Sequence, residues 1–108
     1  MKIRRKNMPE GAIQLQILKY LKYIGAHVGK TKTMGVKRGK FYCTDPYLFV
    51  GFADITCFWD RKIYFIECKT AIGKLSPNQK EFQKLCKKSN IPYIVARSVE
   101  DVIKIIAP

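Results

Sequence analysis

Three ionisable residues sit in the most apolar stretches of the sequence: Asp54 in GFADITCF, and Glu67 and Lys69 in IYFIECKT. An ionised group taken out of water costs several kcal/mol unless a partner compensates it. The placement therefore asks for a chemical reason. If Asp60 and Arg61 form a two-residue turn after Trp59, the flanking strands pair 59 with 62, 58 with 63 and, at the far end, 54 with 67. Residues directly opposed in an antiparallel pair project to one face, with Cβ atoms roughly 5 Å apart. Asp54 and Glu67 then meet, and Lys69, two residues on, shares their face. Asp60-Arg61 is not an Asn-Gly turn, and a slip of one residue would send the two acids to opposite faces.

Two like charges at that separation repel, and a hard divalent cation reverses the sign. Carboxylate oxygens are the ligands that Mg²⁺ or Mn²⁺ prefer, with phosphate oxygens completing the shell. The main-chain carbonyl of Cys68, between Glu67 and Lys69, is a further oxygen donor. A cation there activates water and stabilises charge building on phosphate, and the Lys69 ammonium holds the water and offsets negative charge. The pattern points to phosphodiester hydrolysis on a β-hairpin. Glu10 and Gln14 are four residues apart on a helical stretch, on one face with Ile13 and Ile17; packed over the hairpin, Glu10 completes the metal shell from the other side. Each has a plainer alternative. Glu10 is equally a first-turn acid complementing a helix dipole, Gln79 is equally a capping-box partner, and Glu-x-Lys alternation also marks the wet face of an edge strand.

The elements that position these groups follow from periodicity. Residues 1–9 are basic and end in Pro9, the pattern of a mobile arm, and residues 10–108 form the domain. From Glu10, Ile13, Ile17, Leu18, Leu21 and Ile24 recur at helical spacing and Gly25 closes the helix. AHVGKTKT and GKFYCT read as a β-hairpin, DPYLFVG as an irregular connection, and Phe52–Phe58 with Lys62–Lys69 as the central strands. Ser76-Pro77-Asn78-Gln79 carries an N-cap, a proline at the first helical position and a capping-box Gln. That helix is expected to reach Ser89, burying Phe82, Leu85 and Cys86. IPYIVAR is another strand. Ser98 with Asp101 starts a last helix facing inward through Val102, Ile105 and Ile106. The order describes an α/β fold: a mixed sheet flanked by helices.

Lys and Arg number 21 against 8 acids, a net charge of +13 over 108 residues, which in so small a domain points to a polyanionic partner. No apolar run approaches the roughly 20 residues of a membrane helix, so no membrane role is expected. No apolar stretch follows the basic N-terminus, so a secretory signal is not expected and an intracellular, cytoplasmic location is. Four cysteines without a Cys-x-x-Cys pair, and one histidine, His27, with no thiol nearby, argue against zinc. The aromatic residues of 41–50 and Trp59 read as core or subunit contacts. Charge alone fits a basic DNA-binding protein without catalysis, or a structural RNA-binding protein, equally well.

Several motifs together are more specific. PEGAIQLQILKYL, GFAD, IECK and GKLSPNQKEF, in that order, resemble the VRR-NUC (virus-type replication-repair nuclease) branch of the PD-(D/E)xK nucleases. Glu10 and Gln14 match the family's helical Glu and Gln, Gly51 and Asp54 its Gly-x-x-Asp, Glu67 and Lys69 its Glu-x-Lys, and Ser76 and Gln79 its Ser-Pro-x-Gln. Cys68 stands where the family often has Val, and only its backbone is expected to touch metal. The resemblance implies a restriction-endonuclease-like fold and Mg²⁺- or Mn²⁺-dependent cleavage of DNA. Metal would be held by Glu10, Asp54, Glu67 and the Cys68 carbonyl. Asp54, Glu67, Lys69 and Gln79 would act in catalysis, with Gln14, Gly51, Ser76 and Lys74 in DNA-contacting or supporting roles. Stand-alone members of this length, typical of phages and prophages, resemble homodimeric Holliday-junction resolvases, so a bacterial or phage-encoded enzyme is expected; flap or nicking endonucleases are the alternative within the family.

Overall fold

Burial of one helical stripe sets the arrangement of layers. In the computed structural model, which describes residues 8–32, 47 and 49–108 together with the backbone of 36–38 and 41–43, helix α1 (Glu10–Tyr23) buries Ile13, Ile17 and Leu21 completely. Each such side chain contributes roughly 1.5–3 kcal/mol of burial free energy. The stripe packs on Ile55 and Cys57 of strand β4 (Ile55–Trp59) and on Tyr64, Ile66 and Cys68 of β5 (Lys62–Cys68). Val102 of helix α3 (Val99–Ile103) and Ile106 beyond it fill the same core, and the Tyr20 hydroxyl donates to the Ile106 carbonyl at 2.8 Å. The opposite face carries helix α2 (Pro77–Lys88), whose Phe82 and Cys86 pack with Phe52, Ala53, Phe65, Ile91 and Tyr93.

The main sheet has four strands, in the order β1 (His27–Lys30), β4, β5, β6 (Tyr93–Ala96). The first two pairings are antiparallel and the β5–β6 pairing is parallel, so the sheet is mixed and flanked by helices on both faces, as the sequence implied. The central register is also the one expected: Ile55 pairs with Ile66 and Trp59 with Lys62. Asp60 and Arg61 both adopt positive φ, 49° and 65°, the signature of a two-residue type I′ turn formed without glycine.

Some expectations need correction. The stretch HVGK does not form a hairpin with FYC. It pairs with β4, while β2 (Val36–Arg38) and β3 (Phe41–Cys43) form a separate two-stranded ribbon. Leu85 and Ile105 are not core residues; they are exposed, and the next residues, Cys86 and Ile106, are buried. Ser98 is the N-cap residue of α3, as expected, but its side chain makes no cap hydrogen bond. Instead Asp101 accepts the Arg97 backbone N–H at 2.8 Å. Residues 1–7 of the expected basic arm lie outside the described residues. Among the described residues no helix is long and apolar enough to cross a membrane.

Candidate active site

The β4–β5 ladder ends at Ile55–Ile66, and the next residues outward are Asp54 and Glu67. Both are buried, at 2% and 0% exposure. The Asp54 Oδ2 accepts the Cys68 backbone N–H at 2.8 Å, which pins the aspartate across the end of β5. In an extended strand the N–H and C=O of one residue leave on the same side. The Cys68 carbonyl therefore leaves β5 on the same side as the N–H that Asp54 accepts.

Glu67 is held by helix α2. Gln79 Nε2 donates to Glu67 Oε2 at 3.2 Å, while Gln79 Oε1 accepts the Ser76 N–H at 2.8 Å and Ser76 Oγ accepts the Gln79 N–H at 3.2 Å. Gln79 therefore closes the capping box with its amide oxygen and reaches Glu67 with its amide nitrogen, one side chain using its two ends. Gly51 makes this junction possible. Its φ is 74°, and a Cβ there would overlap the Asn78 carbonyl, so only glycine lets the chain leading to Asp54 pass against the start of α2.

Electrostatics define what the pair requires. Glu67 Oε1 is buried and has no hydrogen-bond partner among the described residues. Burial first, and then hydrogen bonding and like charge from Asp54, push the Glu67 pKa up to about 8, against the opposing pull of Lys32 and Lys69. Two carboxylates are acceptors only, so they can share a proton or a cation but cannot bond each other directly. Lys69 Nζ stands 4.0 Å from Glu67 Oε2 with its side chain 12% exposed, and its backbone N–H donates to the Ala96 carbonyl at 2.9 Å. The Cys57 and Cys68 thiols are pushed up by burial, to about 11 and about 12, which makes them inert packing groups.

The remaining expected residues are placed unevenly. Glu10 and Gln14 are half-buried on α1, whose apolar stripe packs on the sheet face opposite α2. Glu10 is near enough for its charge to act on the Cys68 thiol, yet among the described residues no group of three or more His, Cys, Asp or Glu is gathered as a metal site. Lys74 is exposed in the connection between β5 and α2. His27 is exposed on β1 with its ring 6.1 Å from that of Phe58. Two residues without a sequence signal join the site. Lys32 Nζ lies 3.5 Å from Asp54 Oδ1. Arg97 Nη1 donates to the Thr70 and Gly73 carbonyls at 2.5 and 2.7 Å, clamping the loop that follows Lys69. A basic residue closing the apolar run IPYIVA was the only hint of Arg97. Nothing in the sequence pointed to Lys32, because its position depends on β1 pairing with β4.

A mixed sheet with helices on both faces and a paired Asp and Glu-x-Lys at the end of its central hairpin defines a PD-(D/E)xK-like nuclease fold. The match of the VRR-NUC domain family to residues 42–100, just over half of the chain, shows that the protein belongs to the VRR-NUC family. It is accordingly a nuclease, a hydrolase that acts on DNA. The matched span holds Gly51, Asp54, Glu67, Cys68, Lys69, Lys74, Ser76 and Gln79; Glu10, Gln14 and Lys32 lie before it. Comparison with curated proteins and with solved structures gives no significant match. Nucleases of this fold type generally use divalent metals, and the residues fit one: two converging carboxylates, an orphaned buried carboxylate oxygen and a peptide carbonyl are a hard-cation donor set.

Proposed function

We propose that the protein is a Mg²⁺- or Mn²⁺-dependent endonuclease selective for branched DNA, cutting four-way (Holliday) junctions as a homodimer. The observation that supports the metal dependence is the convergence of the buried Asp54 and Glu67 carboxylates, with no donor among the described residues on Glu67 Oε1. Asp54, Glu67 and the Cys68 carbonyl would hold the cation, which when bound supplies Lewis-acid stabilisation of charge on phosphate and a lowered pKa for water. The rest is the work of this chain's own residues. The Cys68 N–H fixes the Asp54 carboxylate, and Gln79 orients Glu67 from the capped end of α2. Lys69, nearly buried and tethered through its backbone to β6, holds the attacking water and balances developing negative charge. Glu10, whose charge reaches the Cys68 thiol from the start of α1, would complete the metal shell from the other side, with Gln14 assisting. Lys74 meets the DNA backbone from the connection that Ser76 closes.

The +13 charge supports a nucleic-acid substrate but not a branch type; the junction preference rests on family resemblance and on the two-fold symmetry by which a dimer presents one site to each of two opposed strands. Labelled four-way, flap and linear duplexes incubated with Mg²⁺, Mn²⁺ or EDTA test the reading. Paired symmetric nicks in opposed junction arms that EDTA abolishes are expected. Cleavage that survives EDTA would remove the metal, and preferential cutting at flaps would replace the junction by the flap alternative.

A further inference from the structure

The two carboxylates each face an ammonium, but the two lysines are built differently. Lys69 is 12% exposed and faces a fully buried glutamate; Lys32 is 43% exposed and faces Asp54. The backbone around Lys32 is nonetheless fixed. Beyond the last residue of β1, the Thr31 N–H donates to the Asp54 carbonyl at 2.9 Å, the Thr31 hydroxyl donates to the Ala53 carbonyl at 3.1 Å, and the Thr31 and Thr56 hydroxyls share a hydrogen bond of 2.8 Å. The strand thus delivers Lys32 to Asp54 on an anchored stem with a solvent-facing head.

We propose that Lys32 is an exchangeable counter-ion of the site: its ammonium competes with the divalent cation for Asp54 Oδ1, and when the cation wins, the ammonium turns to a phosphate of the bound DNA. The proposal rests on the metal-dependent reading above. Its physical basis is that one carboxylate oxygen cannot serve an ammonium and a divalent cation at full strength together. The lysine end of the pair is 43% exposed, so solvent screens it and it can leave its partner, and a lysine is a flexible point charge suited to phosphate. Lys69, enclosed beside Glu67, lacks that freedom and stays. The exchange couples metal loading to DNA capture, since the charge released by one event is available to the next.

The signature is a pair of effects of opposite sign, which a structural role would not produce. Mn²⁺ affinity, titrated by electron paramagnetic resonance without DNA, is expected to be about three- to tenfold tighter in Lys32→Gln than in the wild type. Affinity for a four-way junction in Ca²⁺ is expected to be weaker by a similar factor, with the slope of log K against log salt shallower by about one phosphate contact. Lys32→Arg, which keeps the charge, should stay close to wild type in both. Unchanged or weaker Mn²⁺ binding in Lys32→Gln, or unchanged DNA affinity, overturns the exchange. A wild-type protein that binds no Mn²⁺ overturns the metal reading itself, and the exchange with it.

Discussion

The two faces of the central sheet solve different problems. On the side covered by α1 and α3, Ile13, Ile17, Leu21, Ile55, Ile66, Val102 and Ile106 are completely buried and form an apolar cluster. On the side covered by α2, a smaller cluster of Ala53, Phe82 and Cys86, edged by Phe52, Phe65, Ile91 and Tyr93, gives way at one end to Asp54, Glu67 and Gln79. The same strands serve both, because alternate side chains point to opposite faces. Stability is concentrated on one face, and that allows the other to keep two buried acids whose mutual repulsion opposes folding. The α2 end is therefore the place where a local rule of folding is broken, and such places are where function is expected.

Substitutions on the two faces should separate rate from stability. The largest effect is expected for Asp54→Asn, which keeps an acceptor for the Cys68 N–H but removes the charge. Single-turnover cleavage should fall by at least about 10²–10³-fold, while the melting temperature is unchanged or higher and DNA is still shifted in a gel. On the other face, Ile17→Ala should cost about 2–5 kcal/mol of stability, measured by urea unfolding, and leave the rate per folded molecule close to wild type. A large stability loss for Asp54→Asn would break the contrast.

Glu67 sharpens it through pH. The folded protein raises this carboxyl from 4.5 to about 8, so between those values the folded state keeps a proton that the unfolded chain releases. The contribution to stability is full below pH 4.5 and is lost as the pH rises through about 8. Without divalent metal, the melting temperature should drop from about pH 5 to about pH 8 by several degrees more in the wild type than in Glu67→Gln. Equal slopes would mean that the pair does not carry this strain. The smallest effect expected is that of Arg97→Gln. Freeing the loop after Lys69 should lower the single-turnover rate about tenfold with DNA affinity nearly unchanged, whereas a purely structural clamp would lower the melting temperature and leave the rate per folded molecule alone.

How legible all this was in the sequence varied with the range of the interaction involved. The hairpin register followed from a two-residue turn between apolar runs, even though Asp60 and Arg61 are poor advertisements for positive φ. The α2 start was legible for the same reason, since Ser76-Pro77-Asn78-Gln79 is a local motif. Long-range choices were not. HVGK is four residues long, and only its middle valine is even half-buried, so no periodicity revealed that it pairs with β4, and Lys32 went unnoticed as a result. The face on which α1 packs is a tertiary outcome, so the sequence did not say how near Glu10 comes to the end of β5, where its charge reaches the Cys68 thiol. Leu85 and Ile105 each stand next to a second apolar residue, Cys86 and Ile106, and the sequence pattern does not say which of two adjacent apolar positions faces inward.

The central claim is that Asp54, Glu67 and the Cys68 carbonyl together hold one cation. Anomalous diffraction from crystals soaked in Mn²⁺ addresses it without recourse to activity. A peak bridging the two carboxylates within bonding reach of the Cys68 carbonyl is expected, lost in Asp54→Asn. Mn²⁺ bound elsewhere, or carboxylates that remain bridged by a proton at saturating metal, would contradict it.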